Sequence, residues 1–286
     1  MDDPGGGHNA ALFRRGAHEY EWLATQARVW EPATRRALQH AGLAAGQSAL
    51  DVGCGTCEVL PLLAERVGAA GHVTGLDVDG ALAAQALQRL FGRPPLAAMP
   101  GVCRLVAGDV LALPQVAGEP FDLVFARALV FDAPTPHALL RRLWTLVRSG
   151  GMLLVMEHDV TAMRPLAPHA GFDRAARLVK RAWRRARHDL ATGTHLPLLF
   201  EAAGIGPVDG CDVSSAILPA APSAALLRSM LGDLHGAIIR AALADEIELH
   251  RLDGDLAATD PDTCLRWPDL VAAWKRKPAE CQGKVG

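Results

Sequence analysis

From Ser48 to Asp159 the chain alternates short, unbroken apolar runs with longer segments rich in alanine and leucine: "SALDVG", "EVLPLLAERVG", "HVTGLDVD", "ALAAQALQRLFG", "VCRLVAGDV", "FDLVFAR", "HALLRRLWTLVRSG" and "GMLLVMEHD". The runs near 49–53, 72–77, 102–107, 121–126 and 151–157 lack the polar alternation of a half-solvated strand, so they predict strands covered on both faces by helices. Strand and helix in strict alternation predict a mostly parallel sheet of the α/β class. Ser149, Gly150 and Gly151 are expected to close a helix before the fifth strand, with glycine in the left-handed cap conformation.

The flanks follow other rules. Residues 17–41 carry Trp22, Leu23, Val29, Trp30 and Leu38 among good helix formers and predict two helices, the second starting afresh at Pro32. Beyond residue 159 the alternation loosens into a helix over "RAARLVKRAWRRARHDL", a short helix over "HLPLLFEAAGI" ended by Gly204, and two late strands, "PVDGCDVSSAIL" and "DLVAAWKRK". The expected organisation is a leader over 1–16, disordered because it has little to bury, followed by one domain over 17–286. Its core covers about 35–159, 195–218 and 263–277, and two helical insertions, about 160–194 and 219–262, are read as lids over a ligand crevice.

Composition narrows the partners. A chain of 286 residues, 50% apolar, buries a full core as one large domain. A formal net charge of −2 and only 5% aromatic residues argue against a nucleic-acid partner and favour a small molecule. No apolar run approaches the roughly 18 residues that cross a bilayer, so no membrane partner and a cytoplasmic location are expected; a homodimer is left open. Six scattered cysteines read as reduced thiols. Cys54 and Cys57 form a C-x-x-C pair, but with no second pair or spaced histidine pair to complete a zinc site they read as small side chains in a tight turn, and no metal is expected.

The candidate chemistry starts with "ALDVGCGTCEVL", residues 49–60. This is the first strand-to-helix turn, where open parallel sheets hold their ligands. A dinucleotide turn would read G-x-G-x-x-G, with bare amides for a pyrophosphate. Here Asp51 precedes Gly53 and Gly55, and a carboxylate at that point repels a pyrophosphate but attracts a cation such as an amino group or a sulfonium. Asp77, with Asp79 as fallback, ends the second strand, where an acid accepts the two hydroxyls of a ribose. Asp109 follows the third strand and is placed to accept an adenine amino group. The three acids together call for a ligand with a positive centre, a ribose and a base.

In order and spacing, "LDVGCGTC", "GLDVD", "AGDVLALP", "FDLVFARAL" and "RSGGMLLVMEHD" resemble the class I methyltransferases dependent on S-adenosylmethionine (SAM), most closely the small-molecule branch that includes the ubiquinone and menaquinone methyltransferases. The resemblance implies a Rossmann-like, doubly wound, mostly parallel seven-stranded sheet with helical lid insertions, SAM as cofactor and methyl transfer to a small-molecule acceptor. It further implies that Asp51, Gly53, Cys54 and Gly55 lie against the methionine part, Asp77 and Val78 at the ribose, Gly108, Asp109 and Val110 at the adenine, and Arg127 and Ala128 beside the methyl donor. Cys57 departs from the D-x-G-x-G-x-G pattern. A thiol does not take positive φ easily, and the expectation is that this position is already helical and the cavity merely tighter.

Methyl transfer from a sulfonium needs proximity and exclusion of water, and a base only where the accepting atom must lose a proton. His158 is the expected base, with Glu157 second and His137 and His195 as rivals. The basic stretch from Lys180 to Arg187 reads as the solvated face of an amphipathic lid helix. The alternatives are a SAM-binding protein that catalyses another step such as a cyclisation, a nicotinamide oxidoreductase, and a non-catalytic binding module.

Overall fold

The computed structural model describes residues 17–94, 96–98, 101–258 and 263–279, with side chains from residue 23 onward; the leader over 1–16 and the side chains of Tyr20 and Trp22 lie outside this description. Its first element corrects the sequence reading. α1 (Ala17–Ala41) is one helix with Pro32 inside it, not two helices meeting at that residue. Proline removes one helical bond, but Ala27, Trp30, Ala33, Ala37, Leu38 and Ala41 are all buried at helical spacing, and packing along that unbroken stripe outweighs the lost bond.

Seven strands form the central sheet, in the order β3-β2-β1-β4-β5-β10-β7. They are β1 (Ser48–Val52), β2 (His72–Asp77), β3 (Cys103–Ala107), β4 (Phe121–Arg127), β5 (Val147–Asp159), β7 (Gly210–Ser214) and β10 (Asp269–Arg276). β1 runs parallel to both β2 and β4, β2 to β3, and β4 to β5. The chain thus winds outward from β1 to β3 and then restarts on the other side with β4, so the order reverses between β1 and β4. A crevice opens at such a reversal, beyond the carboxyl ends of the two strands.

Helices α2 (Leu60–Val67), α3 (Gly80–Phe91), α4 (Pro136–Leu146) and α6 (Thr192–Ala202) accompany these strands. Leu50, Val52, Val124, Ala126, Leu153 and Val155 from three neighbouring strands join Leu139, Leu143, Leu196 and Phe200 from α4 and α6 in one buried cluster. The unbroken apolar runs of the sequence are this core. The expected glycine cap is corrected: α4 ends at Leu146, and Gly150, at φ 75°, lies inside β5 near the place where its register with β4 slips. A side chain at the next residue, Gly151, would strike the Asp122 and Phe121 carbonyl oxygens at 2.8 and 3.0 Å, so this glycine is required by close packing.

The chain divides into two compact units, one of Leu23–Glu157, Gly193–Val213 and the residues from Leu270 on, the other of the residues up to Trp22, His158–Thr192 and Ser214–Asp269. The second unit holds α5 (Ala170–Arg185), α7 (Ala220–Arg240), α8 (Glu246–Ala257) and an antiparallel sheet in the order β6-β9-β8. Of its strands, β6 (Arg164–Pro165) falls in the expected helical insertion over 160–194, β8 (Ile217–Pro219) at the end of the expected strand "PVDGCDVSSAIL", and β9 (Cys264–Arg266) ahead of the expected last strand. The run 207–218 divides into β7 and β8, which belong to different sheets. Strands of two or three residues are too short to display a period of two.

Candidate cofactor site

Asp51 lies at the heart of the β1 end of the crevice. It is 2% exposed, and its Oδ2 has no hydrogen-bond partner among the described residues. Burial pushes its carboxyl up to about 7, the Arg127 guanidinium pulls against that rise and Asp77 adds to it. The β1–α2 turn begins with two amides, Gly53 N and Cys54 N, that donate to the Leu76 carbonyl at 2.8 and 3.1 Å. Gly53 has φ 74°, and a side chain there would meet Leu129 Cδ1 at 2.9 Å, so the turn needs glycine both for its backbone and for its closeness to the β4 loop. Gly55, at φ 48°, has nothing within 4 Å of where a side chain would start.

Cys57 overturns the expectation of a helical conformation. Its φ is 59°, and α2 begins only at Leu60. A left-handed cysteine costs about 1–2 kcal/mol. The local structure offsets part of this: Cys57 N donates to the Cys54 carbonyl at 2.7 Å, closing the turn, and its fully buried thiol donates to the Ala83 carbonyl at 3.5 Å and lies 3.7 Å from Cys54 Sγ. The hydrogen bond from the Cys57 thiol, together with burial, holds the Cys54 thiol far above its ordinary range, so Cys54 is protonated at neutral pH.

Asp77 ties two turns together. Its Oδ2 accepts the Gly55 amide at 2.8 Å and its Oδ1 accepts the Asp79 amide at 2.8 Å, while its backbone carbonyl accepts Gly108 N at 2.8 Å. The β1, β2 and β3 turns therefore meet at one residue. Asp79 caps α3 by accepting Leu82 N at 3.0 Å. Val78 between them is 61% exposed, an apolar side chain held open at the rim. Gly108 has φ 149°; Asp109 accepts Leu111 N at 2.8 Å on Oδ1 and orders its own turn; Val110 is buried, and its carbonyl accepts Arg142 Nε at 3.1 Å.

Across the reversal, Arg127 ends β4 and Ala128 follows in the left-handed region at φ 54°. Arg127 Nη1 donates to Thr34 Oγ1 at 2.9 Å, and Thr34 in turn donates to the Trp30 carbonyl of α1 at 2.9 Å. Burial lowers the guanidinium's pKa while Asp51 and Glu58 oppose the fall. No local pattern marks Thr34, which lies 93 positions before the residue it meets. Leu129, packed over Gly53, was also missed.

Glu157 corrects the expected catalytic role. Its side chain is fully buried, and its Oε2 accepts Val130 N at 2.8 Å and Phe131 N at 3.0 Å. The carboxylate is held inside as the anchor of the loop that carries Ala128 and Leu129, so it presents no face to an acceptor. His158 is a residue within β5, one place on and directed to the opposite side of the strand. His137 stands in the first turn of α4 and His195 in α6.

The arrangement suits one class of ligand. A buried carboxyl with an unused oxygen, a glycine turn pressed against the next loop, an acid at the end of β2 and an exposed valine beside it offer a cation, a diol and a flat ring each a matching surface. Residues 50–155 match the family model described as "Methyltransferase domain". This stretch is similar to a methyltransferase domain.

Proteins of known name are similar to the chain as well. A demethylmenaquinone methyltransferase of Staphylococcus aureus is 30% identical over 132 residues, 46% of this chain and 50% of that protein. A 2-phytyl-1,4-naphtoquinone methyltransferase of Thermosynechococcus vestitus is 32% identical over 152 residues, 51% of this chain and 63% of that one. The chain thus spans between half and two thirds of the length of these relatives. Among solved structures, a Bacillus halodurans protein assigned to the methyltransferases superposes with a TM-score of 0.55 at 17% identity, over 85% of this chain and 98% of that one. A phosphoethanolamine N-methyltransferase of Haemonchus contortus gives 0.51 at 16% identity, over 90% and 57%. Both share the fold, a Rossmann-like sheet with flanking helices.

Proposed function

We propose that the protein is a SAM-dependent methyltransferase acting on a small molecule, with SAM seated in the β1–β4 crevice. The observation that carries this reading is Asp51: a carboxyl buried beside the glycine turn, raised in pKa and with an oxygen lacking any partner among the described residues, is costly unless a cation answers it. Bound there, SAM supplies an electrophilic methyl on a sulfonium. Asp51 would attract the cationic part of the cofactor, and Arg127, bonded to Thr34 and drawn to the Asp51 charge, would answer its carboxylate. Asp77 keeps the Gly55 turn in place; Asp77 and Val78 would hold the ribose, and Gly108, Asp109 and Val110 the base. Glu157 holds the loop of Ala128 and Leu129, which fixes the wall of the site beside the reacting methyl.

The relatives' names point to quinone-type rings as the first acceptors to test. A base is needed where the accepting atom must lose a proton, and His158 is the residue we assign to that role. No helix among the described residues is long and apolar enough to cross a membrane. Isothermal titration with SAM, its demethylated product and a nicotinamide dinucleotide tests the reading. Binding of the first two but not the third is expected, with Asp77→Ala abolishing it. Binding of the dinucleotide alone would overturn the proposal.

A further inference from the structure

We propose that the outer face of α5 is a docking surface for an anionic lipid bilayer. Arg177, Arg181, Arg184 and Arg185 are exposed within an arc of roughly 100° on this helix, and exposed Arg187 follows its last turn. The opposite face, Phe172, Ala175, Ala176, Leu178, Val179, Ala182 and Trp183, is buried where α5 packs against α7 and α8. None of the five arginines forms an ion pair among the described residues. Three acids of the neighbouring helices pair with other partners: Glu248 with Arg174, Asp253 with Arg228, and Glu246 with His235. Stabilisation of the helix end by its dipole accounts at most for Arg184 and Arg185, since Arg177 and Arg181 lie a turn or more earlier.

The choice of a lipid surface follows from what surrounds the strip. β6 packs against α5 and is tethered to it, for Lys180 Nζ donates to the Thr161 and Met163 carbonyls at 3.1 and 2.7 Å. Next to this tether, exposed Arg164 adds a sixth positive charge, and Leu166, 47% exposed, offers an apolar side chain to a headgroup layer. Nucleic acid fits less well. The aromatic residues of α5, Phe172 and Trp183, are 0% and 6% exposed and give no stacking platform, and a net charge of −2 supplies no extended basic field. A local strip on an otherwise acidic protein matches a planar anionic surface, which rewards each nearby arginine without needing specific contacts.

The test is co-sedimentation of the full chain with vesicles of phosphatidylcholine alone or mixed with phosphatidylglycerol. Binding to the mixed vesicles only, abolished by high salt, is expected. Arg177→Gln, Arg181→Gln and Arg184→Gln combined should lower the partition coefficient about 100-fold, roughly fivefold for each charge removed. Lysine at the same three positions should retain most of the binding. These sites are exposed, so thermal melting should be unchanged, and the single substitutions give the same trend should the triple variant unfold. Absence of binding to the mixed vesicles, binding by the glutamine variant equal to wild type, or displacement of the vesicles by a single-stranded oligonucleotide overturns the proposal.

Discussion

Asp51→Asn separates the cost of the buried carboxyl from its use. The folded protein holds this group at about 7 against an ordinary value of 3.8, and the gap corresponds to about 4 kcal/mol, an upper figure. The sign follows from proton binding. Between pH 4 and 7 the folded chain keeps a proton that the unfolded chain has released, so raising the pH through this window removes stability. Below about pH 4 both states are protonated and the cost vanishes. Asparagine keeps the shape without the charge, so the variant should match wild type near pH 4 and exceed it by about 2–4 kcal/mol at pH 8. Urea unfolding of both proteins from pH 4 to 8 measures the difference, and comparing the two cancels contributions from other titrating groups. SAM binding should move the opposite way, weakening about 10- to 100-fold in the variant, with less loss for the uncharged demethylated product. A stability difference that stays flat with pH, or a variant weaker than wild type at pH 8, refutes the account of Asp51 given above.

Substitutions at three further residues address the frame around it. Cys57→Gly and Cys57→Ala both delete the thiol, but only glycine relieves the left-handed backbone, so the glycine variant should be about 1 kcal/mol more stable than the alanine variant by chemical denaturation; the reverse order would mean that φ 59° carries no strain. Asp77→Ala removes the acceptor of the Gly55 and Asp79 amides and should cost about 2–3 kcal/mol by thermal melting, together with loss of SAM binding. Glu157→Gln keeps an acceptor for the Val130 and Phe131 amides and should lower stability by about 1 kcal/mol, whereas Glu157→Ala leaves both unsatisfied and should cost about 3 kcal/mol, read by urea unfolding; equal effects would argue against an anchoring role.

The strands of the main sheet and the glycine turn were legible because each is written in consecutive residues. Apolar runs of five to seven mark β1, β2 and β4, and Asp51, Gly53 and Gly55 lie within five positions of one another. What escaped the sequence reading depends on distant pairs. That Pro32 sits inside a helix follows from a buried stripe whose partners lie on other elements, and that Glu157 anchors a loop follows from amides 26 and 27 positions earlier. Short strands such as β6 and β8 are specified by pairing with β9 rather than by their own residues. Local propensity cannot report any of these, since each is decided by tertiary contact.

The errors also share a location. Of the four non-glycine residues with positive φ among those described, Cys57 and Ala128 lie on the two turns that face each other across the β1–β4 reversal. Gly53 and Leu129 bring those same turns into contact, and Asp51, the carboxyl raised to about 7, stands between them. Backbone strain and an unanswered buried charge both lower stability, and neither persists without surroundings that enforce it. Here the enforcing groups are identifiable: Asp77 holds the first turn through Gly55, Glu157 holds the second through Val130 and Phe131, and Arg127 is braced by Thr34. A fold selected for stability alone would place glycine at position 57 and a neutral residue at 51. That this rim carries both costs, in a chain whose core is otherwise well packed, is the physical argument that the crevice is kept in shape for a cationic ligand that recovers them.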